Sequence, residues 1–140
     1  MNATLGRRVI RIDGDVIARR VIGGIWLAGA AFNAGWTLRQ DGPWTWLEES
    51  RVPVYRWFFG EVAAANPAPW TVALIAGEIT LGLLTLSQRW GRRGLIAGAA
   101  FSAFLFSLGT PYTLMMGGYA LLLAWLARRT GRRPFGTAPG

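Results

Sequence analysis

Long apolar segments are the feature of this sequence that most restricts its fold. A helix needs about 17 to 25 mostly apolar residues to cross a hydrocarbon core about 30 Å thick. Segments 21–38 and 70–87 meet that length, and the shorter segments 94–108 and 112–127 approach it. Because 52% of the chain is hydrophobic and only 16% is charged, membrane helices are favoured over soluble ones. The pattern predicts an all-α integral membrane four-helix bundle, forming a single domain over residues 1–140.

The connection between the third and fourth predicted spans is very short. Only Gly109-Thr110-Pro111 separates the two apolar segments. Thr is a preferred residue just before a helix, and Pro suits the first helical position, where a missing N–H is not needed. We therefore expect a tight helical hairpin and not one long helix.

Arginine placement predicts the orientation of the spans. All 15 basic residues are Arg, against 7 acidic residues, and the net charge is +8. Twelve of these arginines lie in the arm 1–20, in the turn between the second and third spans, and in the tail 128–140. Basic residues near span ends stay on the cytoplasmic side, so both termini are expected in the cytoplasm. Attraction to anionic lipid explains the clusters without a nucleic-acid partner, and the tail is expected to be flexible.

The chain contains no Cys and no His. Thiolate sites, iron–sulfur clusters and disulfides are therefore excluded, and so are imidazole ligands for zinc, copper or haem. The side chain that most often performs acid–base catalysis near neutral pH is also missing. We predict no metal site, no covalent cofactor and no catalytic residue in this chain.

The first loop, residues 39–69, is rich in aromatic side chains. Pro53 is expected to begin a short helix over 54–60. Trp and Tyr favour the headgroup depth of a membrane, so this loop is predicted to lie at the outer mouth of the bundle. Its aromatics serve either as membrane anchors or as a lid or partner-docking surface. The predicted interfacial residues are Trp44, Trp46, Tyr55, Trp57 and Phe58.

Glu78 is the one ionisable Asp, Glu or Arg residue inside any predicted span, and it lies near the middle of the second. A charged group at the bilayer centre costs at least about 2.5 to 3.5 kcal/mol, so such a residue normally faces the bundle interior. Thr71 and Thr85 lie seven residues to either side of Glu78, which places all three on one helix face.

Depth along the alternating spans suggests which residues surround Glu78. Ser102 and Tyr119 fall near the same midplane, and Asn33 lies about four residues further out, roughly 6 Å at helical rise. We predict a ligand-binding site of Glu78, Asn33, Ser102, Tyr119 and Thr85. Two interpretations remain: Glu78 is either a hydrogen-bonded packing element, or a contact for a proton, a ligand or a quinone head group.

The pattern of these segments resembles the DoxX-like family of small four-helix membrane proteins. The resemblance rests on the small-residue segment 28–36, on residues 77–84 with their Glu and Gly-Leu-rich stretch, and on the Arg-rich turn 89–93. It extends over most of the chain, from residue 19 to residue 129. It implies a bacterial inner-membrane component that works beside other subunits of quinone-linked oxidoreductases or redox complexes, with a quinone as ligand.

Three functions are compatible with these features. As a subunit of a redox complex, the chain would contribute quinone or lipid binding and docking, while electrons pass through other subunits. It is alternatively a purely structural accessory subunit that contacts lipids and other membrane proteins. A small proton-coupled transporter is less favoured, because four-helix exporters of this size carry their Glu in the first span and show weak arginine asymmetry.

The predicted topology can be tested with reporters. A reporter fused to either end of the chain is expected to read cytoplasmic, because the arginine-rich segments flank both ends. Activity of paired cytoplasmic and periplasmic reporters measures this. A periplasmic signal at either terminus would contradict the four-span topology.

Overall fold

The computed structural model of the protein describes residues 14–36, 39 and 47–130, and these residues are all-helical. Trp44 and Trp46, the first 13 residues and the stretch 131–140 lie outside the described residues. The second helix continues directly into a π-helical stretch, and a short 3₁₀ turn precedes the last helix. The elements are α1 (Gly14–Gly35), α2 (Pro53–Trp57), the π-helical stretch Phe58–Ala63, α3 (Pro67–Leu86), α4 (Gly91–Ser107), the 3₁₀ turn Pro111–Thr113 and α5 (Met115–Thr130).

The helices extend beyond the predicted apolar segments at the start of α1 and at the end of α5. α1 begins at Gly14 and not near Val21, so part of the predicted arm is helical. α5 continues to Thr130, so the first three residues assigned to a flexible tail are helical as well. The physical reason is that hydropathy marks where the apolar surface ends, whereas a helix continues through charged residues as long as its backbone hydrogen bonds do.

Helix α3 has clear signals at both ends. Pro67 occupies its first turn, where the missing N–H leaves no hydrogen bond unmade. Its last residue is Leu86, because Ser87 has extended backbone angles. The Ser87 hydroxyl then accepts a hydrogen bond from the Trp90 backbone N–H at 3.2 Å, just before α4 begins. The four-residue connection forces α3 and α4 to run in opposite directions.

Helices α1 and α3 pack antiparallel along most of their length. Near the start of α1 and the end of α3, Arg19 Nη1 donates to the Ser87 carbonyl at 3.5 Å. Further along, Gly23 and Gly82 face each other, and a methyl group added to either would lie 3.1 Å from the other's carbonyl oxygen. The absence of side chains at these two positions therefore lets the two backbones approach closely.

The α4–α5 hairpin is confirmed. Gly109 has φ +66°, a left-handed conformation that other residues adopt at a cost. The Thr110 backbone N–H donates to Thr113 Oγ1 at 3.1 Å, as in a capping box. Because Pro111–Thr113 forms the 3₁₀ turn, α5 itself starts at Met115 and not at Tyr112.

Two apolar cores lie at opposite ends of the four long helices. One involves all four of them and comprises Ile22, Trp26, Leu81, Leu95, Leu123, Leu126 and Ala127. The other comprises Leu47, Phe59, Ala63 and Leu108 and joins the first loop to the ends of α3 and α4. Glu78 lies on α3 between Leu81, which belongs to the first core, and Leu74, which packs against the second.

The described part of the first loop, residues 47–66, packs on the end of the bundle. The Ser50 hydroxyl donates to the Leu108 carbonyl, and Leu47 is almost completely buried. The Tyr55 hydroxyl shares a hydrogen bond of 3.2 Å with Ser107 Oγ. Phe58 contacts Trp70 edge to face, with 4.9 Å between ring centroids. The predicted short helix from Pro53 is confirmed and continues to Ala63.

The first and last helices are joined at the opposite end. Arg129 Nε lies 3.1 Å from Asp15 Oδ1, and the Asp15 side chain is largely buried. An acid in the first turn of α1 and a cation in the last turn of α5 also suit the two helix dipoles. This ion pair closes the ring of four helices.

Within the residues that the structure describes, α3 is the one helix that combines the length and the apolar composition needed to cross a membrane. Helices α4 and α5 have 17 and 16 residues. At 1.5 Å per residue they are about 26 and 24 Å long, slightly less than a hydrocarbon core.

The close contact between α4 and α3 at Gly94 predicts that a larger residue at this position destabilises the protein. A methyl group there would lie 2.5 Å from the Thr85 backbone nitrogen, so Gly94→Ala is expected to lower the free energy of unfolding by about 1 to 3 kcal/mol. In Gly77→Ala the new methyl group meets no atom within 4 Å, so this control should be neutral or stabilising by up to about 1 kcal/mol. Thermal unfolding in detergent compares the two variants. Equal unfolding midpoints for Gly94→Ala and Gly77→Ala would contradict the close approach of α4 to α3 at Gly94.

Candidate functional site

Glu78 is a buried acid with a specific partner. It lies on the face of α3 that contacts α1, and only 8% of its surface is exposed. Asn33 Nδ2, on α1, donates a hydrogen bond of 2.8 Å to Glu78 Oε2. A buried carboxyl needs such a partner, because removing it from water without one is costly. The expected proximity of Asn33 and Glu78 is thus seen in the structure.

Gly29 provides the space for the Glu78 carboxyl. A methyl group added at Gly29 would lie 3.1 Å from Glu78 Oε1 and 3.5 Å from its carboxyl carbon. Gly29 and Asn33 are four residues apart, so both lie on the same face of α1. One turn of α1 therefore supplies a cradle for the carboxyl and a donor to it.

Further polar atoms are buried in the interior of the bundle. Trp26 Nε1, Ser102 Oγ and Tyr119 OH are each buried and have no hydrogen-bond partner among the described residues. The Trp26 ring lies 5.8 Å from the rings of both Phe101 and Tyr119. Three helices, α1, α4 and α5, thus each contribute a hydrogen-bonding group whose burial requires an acceptor or donor.

Gly98 sets how closely α4 approaches Trp26. A methyl group at Gly98 would lie 3.4 Å from Trp26 Nε1 and 3.2 Å from Leu123. Ser102 is one helical turn further along the same face of α4. The indole N–H and the Ser102 hydroxyl therefore belong to the same interior region of the bundle.

Thr85 does not share this region. Its side chain is fully buried, as predicted, but it lies two turns from Glu78. There it packs where Gly94 brings α4 against α3, with its Oγ1 only 2.7 Å from a methyl group added at Gly94. The seven-residue spacing correctly places Thr85 on the same face of α3 as Glu78. It does not show at which position along α3 the start of α4 packs, and Thr85 lies at that position. Thr85 therefore belongs to the α3–α4 turn.

The described aromatic residues of the first loop, Tyr55, Trp57 and Phe58, lie apart from the Glu78 site. Tyr55 and Phe58 pack against the second core, and 59% of Trp57 is exposed. They form an outer surface next to the bundle and do not approach the carboxyl.

Trp26 and Gly29 are site residues that the sequence interpretation missed. Trp26, Gly29 and Asn33 are separated by three and four residues, the spacing of a single helix face. Counting four residues back from Asn33, and then three more, along the predicted first span would have identified Gly29 and Trp26.

The site can hold a polar, uncharged group by hydrogen bonds. The indole N–H only donates, whereas the Ser102 and Tyr119 hydroxyls donate or accept. Each of these three groups can donate a hydrogen bond to a carbonyl oxygen. Among residues 14–36, 39 and 47–130, no three acidic side chains cluster as metal ligands would.

Comparison with models of protein families, with curated proteins and with solved structures finds no match to this chain.

The Asn33–Glu78 hydrogen bond should contribute to stability. Asn33→Ala removes the donor that Glu78 uses, so the free energy of unfolding is expected to fall by about 0.5 to 2 kcal/mol. Thermal unfolding in detergent measures the change. Thr80→Ala is the control, because the exposed Thr80 hydroxyl bonds only within its own helix, to the Ala76 carbonyl. An Asn33 variant as stable as this control would argue against the pair.

Proposed function

We propose that this chain is an integral membrane protein whose four long helices cross the bilayer. The supporting observation is the distribution of polarity. Large apolar side chains point outward on α1, α3, α4 and α5, whereas several polar side chains are fully buried. More than half of the surface of Phe32, Leu83 and Leu121 is exposed, for example, whereas Thr71 and Ser102 are almost completely buried. Water does not favour this arrangement, but a hydrocarbon surrounding does.

The lengths of the helices are compatible with this proposal. α3 has the length and composition of a spanning helix. The shorter α4 has arginines in its first turn and α5 has them in its last turn, and these long side chains can extend to the headgroups while their stems stay apolar. Local thinning of the bilayer accommodates the remaining mismatch at a modest cost.

Arginine placement supports a cytoplasmic location for both ends. In the antiparallel arrangement, the start of α1, the α3–α4 turn and the end of α5 lie at one end of the bundle, as the contacts of Arg19 with Ser87 and of Asp15 with Arg129 require. The arginines of these three segments therefore share one membrane surface.

Within that membrane protein, we propose that the Glu78 region binds the head group of a quinone. A quinone carries two carbonyl oxygens, which accept hydrogen bonds, and a planar ring. The buried donors of Trp26 and Tyr119 and the hydroxyl of Ser102 suit those oxygens, and neighbouring aromatic rings suit its faces. A bound quinone supplies reversible electron and proton uptake, while the chain's own residues bind and orient it.

The biological role we propose is that of a small subunit of a quinone-linked redox complex in the bacterial inner membrane. The resemblance of segments 28–36 and 77–84 to DoxX-like proteins supports this role. The chain contains no Cys or His to hold a redox centre, so binding and docking are its contribution. The single observation that carries the ligand site is the buried Glu78, bonded to Asn33 in a bundle whose interior also holds three unpartnered polar atoms of Trp26, Ser102 and Tyr119.

A purely structural accessory subunit is the second candidate. The observation that favours it is the tight packing at Gly98, where Leu123 and Trp26 leave no room for even a methyl group without adjustment. In that case the Glu78–Asn33 pair only fixes the register of α1 against α3.

Quinone binding can be tested at two positions. Tyr119→Phe removes one donor and is expected to weaken binding of a short-chain ubiquinone about tenfold. Glu78→Gln keeps the size of the side chain but removes its titration, so quinone retention should change while folding does not. Quinone titration of the purified protein, followed by fluorescence quenching of Trp, measures both.

Tyr55→Phe is the matched control, because its hydroxyl contacts Ser107 at the far end of the bundle. Unchanged quinone binding in Tyr119→Phe, Glu78→Gln and Glu78→Ala would reject the ligand site. The structural role would then stand.

A further inference from the structure

A groove runs along the outer surface between α4 and α5, close to the start of α4 and the end of α5. It has a volume of about 250 Å³. Enclosed sites for whole small molecules usually have about 300 to 1,000 Å³, so this groove suits part of a larger ligand. The groove is lined by Arg92, Ile96, Ala99, Ala124, Ala127 and Arg128.

We propose that this groove binds an anionic phospholipid, with its phosphate on the two arginines and an acyl chain along the apolar lining. The inference rests on the proposed membrane location. It adds a specific lipid site on a surface separate from the Glu78 region.

The shape of the groove follows from small side chains. Ala99 on α4 and Ala124 on α5 leave a furrow between the two antiparallel helices. Ile96 borders it and has 49% of its surface exposed. Since this surface would face hydrocarbon, an acyl chain can fill the furrow where a bulky side chain would otherwise lie.

The two arginines meet at one end of the groove because α4 and α5 are antiparallel. Arg92 is in the first turn of α4, and Arg128 is in the last turn of α5. Arg92 Nε donates to the Ala127 carbonyl at 3.2 Å, which anchors the guanidinium at the groove. Its two terminal nitrogens remain to donate to a phosphate, in the paired geometry that Arg favours.

Among the described residues, no protein carboxylate pairs with either arginine of the groove. Over the described ranges, 14–36, 39 and 47–130, the one ion pair is Arg129 with Asp15, so neither Arg92 nor Arg128 has an acidic partner. The first turn of α4 contains no acidic residue either, although a helix N-terminus favours negative charge. A phosphate at Arg92 would supply the negative charge that this end of the helix lacks.

The combination of charge and apolar lining identifies a lipid and not a free ion. A free phosphate would use only the arginine end, and a neutral lipid would use mainly the apolar part. An anionic phospholipid uses both, and its position at the headgroup depth matches the cytoplasmic end of the bundle.

The test compares phosphatidylglycerol with phosphatidylcholine. The full-length protein in mild detergent is titrated with each lipid, and bound lipid is counted by native mass spectrometry. We expect stronger binding of phosphatidylglycerol. Each arginine near an anionic lipid contributes about fivefold in affinity, so the Arg92→Gln/Arg128→Gln double variant should bind phosphatidylglycerol about 25-fold more weakly.

Two further variants make the result specific. Arg89→Gln removes one charge from the same end of the bundle but outside the groove, where Arg89 stacks on Trp90, and it should bind as the unmodified protein does. Ala124→Leu fills the groove without changing charge and should also weaken phosphatidylglycerol binding. Circular dichroism confirms that each variant keeps its helices.

The outcomes separate this proposal from the membrane location. Failure of the protein to enter the membrane fraction would overturn both. A membrane protein in which the double variant and Arg89→Gln bind phosphatidylglycerol equally would overturn the groove alone. If millimolar inorganic phosphate displaces bound phosphatidylglycerol as effectively as added phospholipid does, an anionic phospholipid is likewise rejected as the ligand.

Discussion

Close approach of helix backbones is the constraint on which the rest of this structure depends. Gly23 and Gly82 bring α1 against α3, and Gly94 brings α4 against α3 at the Thr85 backbone. In the proposed membrane location, burial of apolar surface cannot hold helices together, because lipid tails are as apolar as leucine. Van der Waals contact and interhelical hydrogen bonds must do so, and both need short distances between axes. The glycines create those distances, and larger residues at the same positions would separate the helices.

The position of the polar interior follows from that approach. With α1 held against α3, the Glu78 carboxyl fits beside Gly29 and reaches Asn33 at 2.8 Å. The apolar cores on either side of Glu78 separate it from both ends of the bundle. Glu78 and Asn33 are thus held in the interior between the two cores, while large apolar side chains are left on the outward faces. The polar interior pair and the apolar exterior are therefore consequences of the same packing.

The sequence predicted the inward residues better than the helix limits or the contacts among them. Glu78 is identified by its charge inside an apolar segment. Counting residues from the middle of each predicted span places Asn33 near the depth of Glu78, because the rise per residue along a regular helix is constant. Thr85 was assigned to the same site, but spacing gives a face and not the point where α4 begins. Trp26 was missed, because an aromatic residue in an apolar segment carries no local sign that its N–H is buried. The helical start of α1 at Gly14 depends on tertiary contacts such as the Asp15–Arg129 ion pair.

That ion pair also bears on the order in which the protein is assembled. Asp15 is in α1 and Arg129 is in α5, the first and last of the described helices. The Asn33–Glu78 bond can form once α3 has followed α1 into place, but the Asp15–Arg129 pair has to wait until α5 has been synthesised. The ring of helices therefore stays open between α1 and α5 until that point. Until then, the Trp26 ring also lacks its contact with Tyr119 of α5.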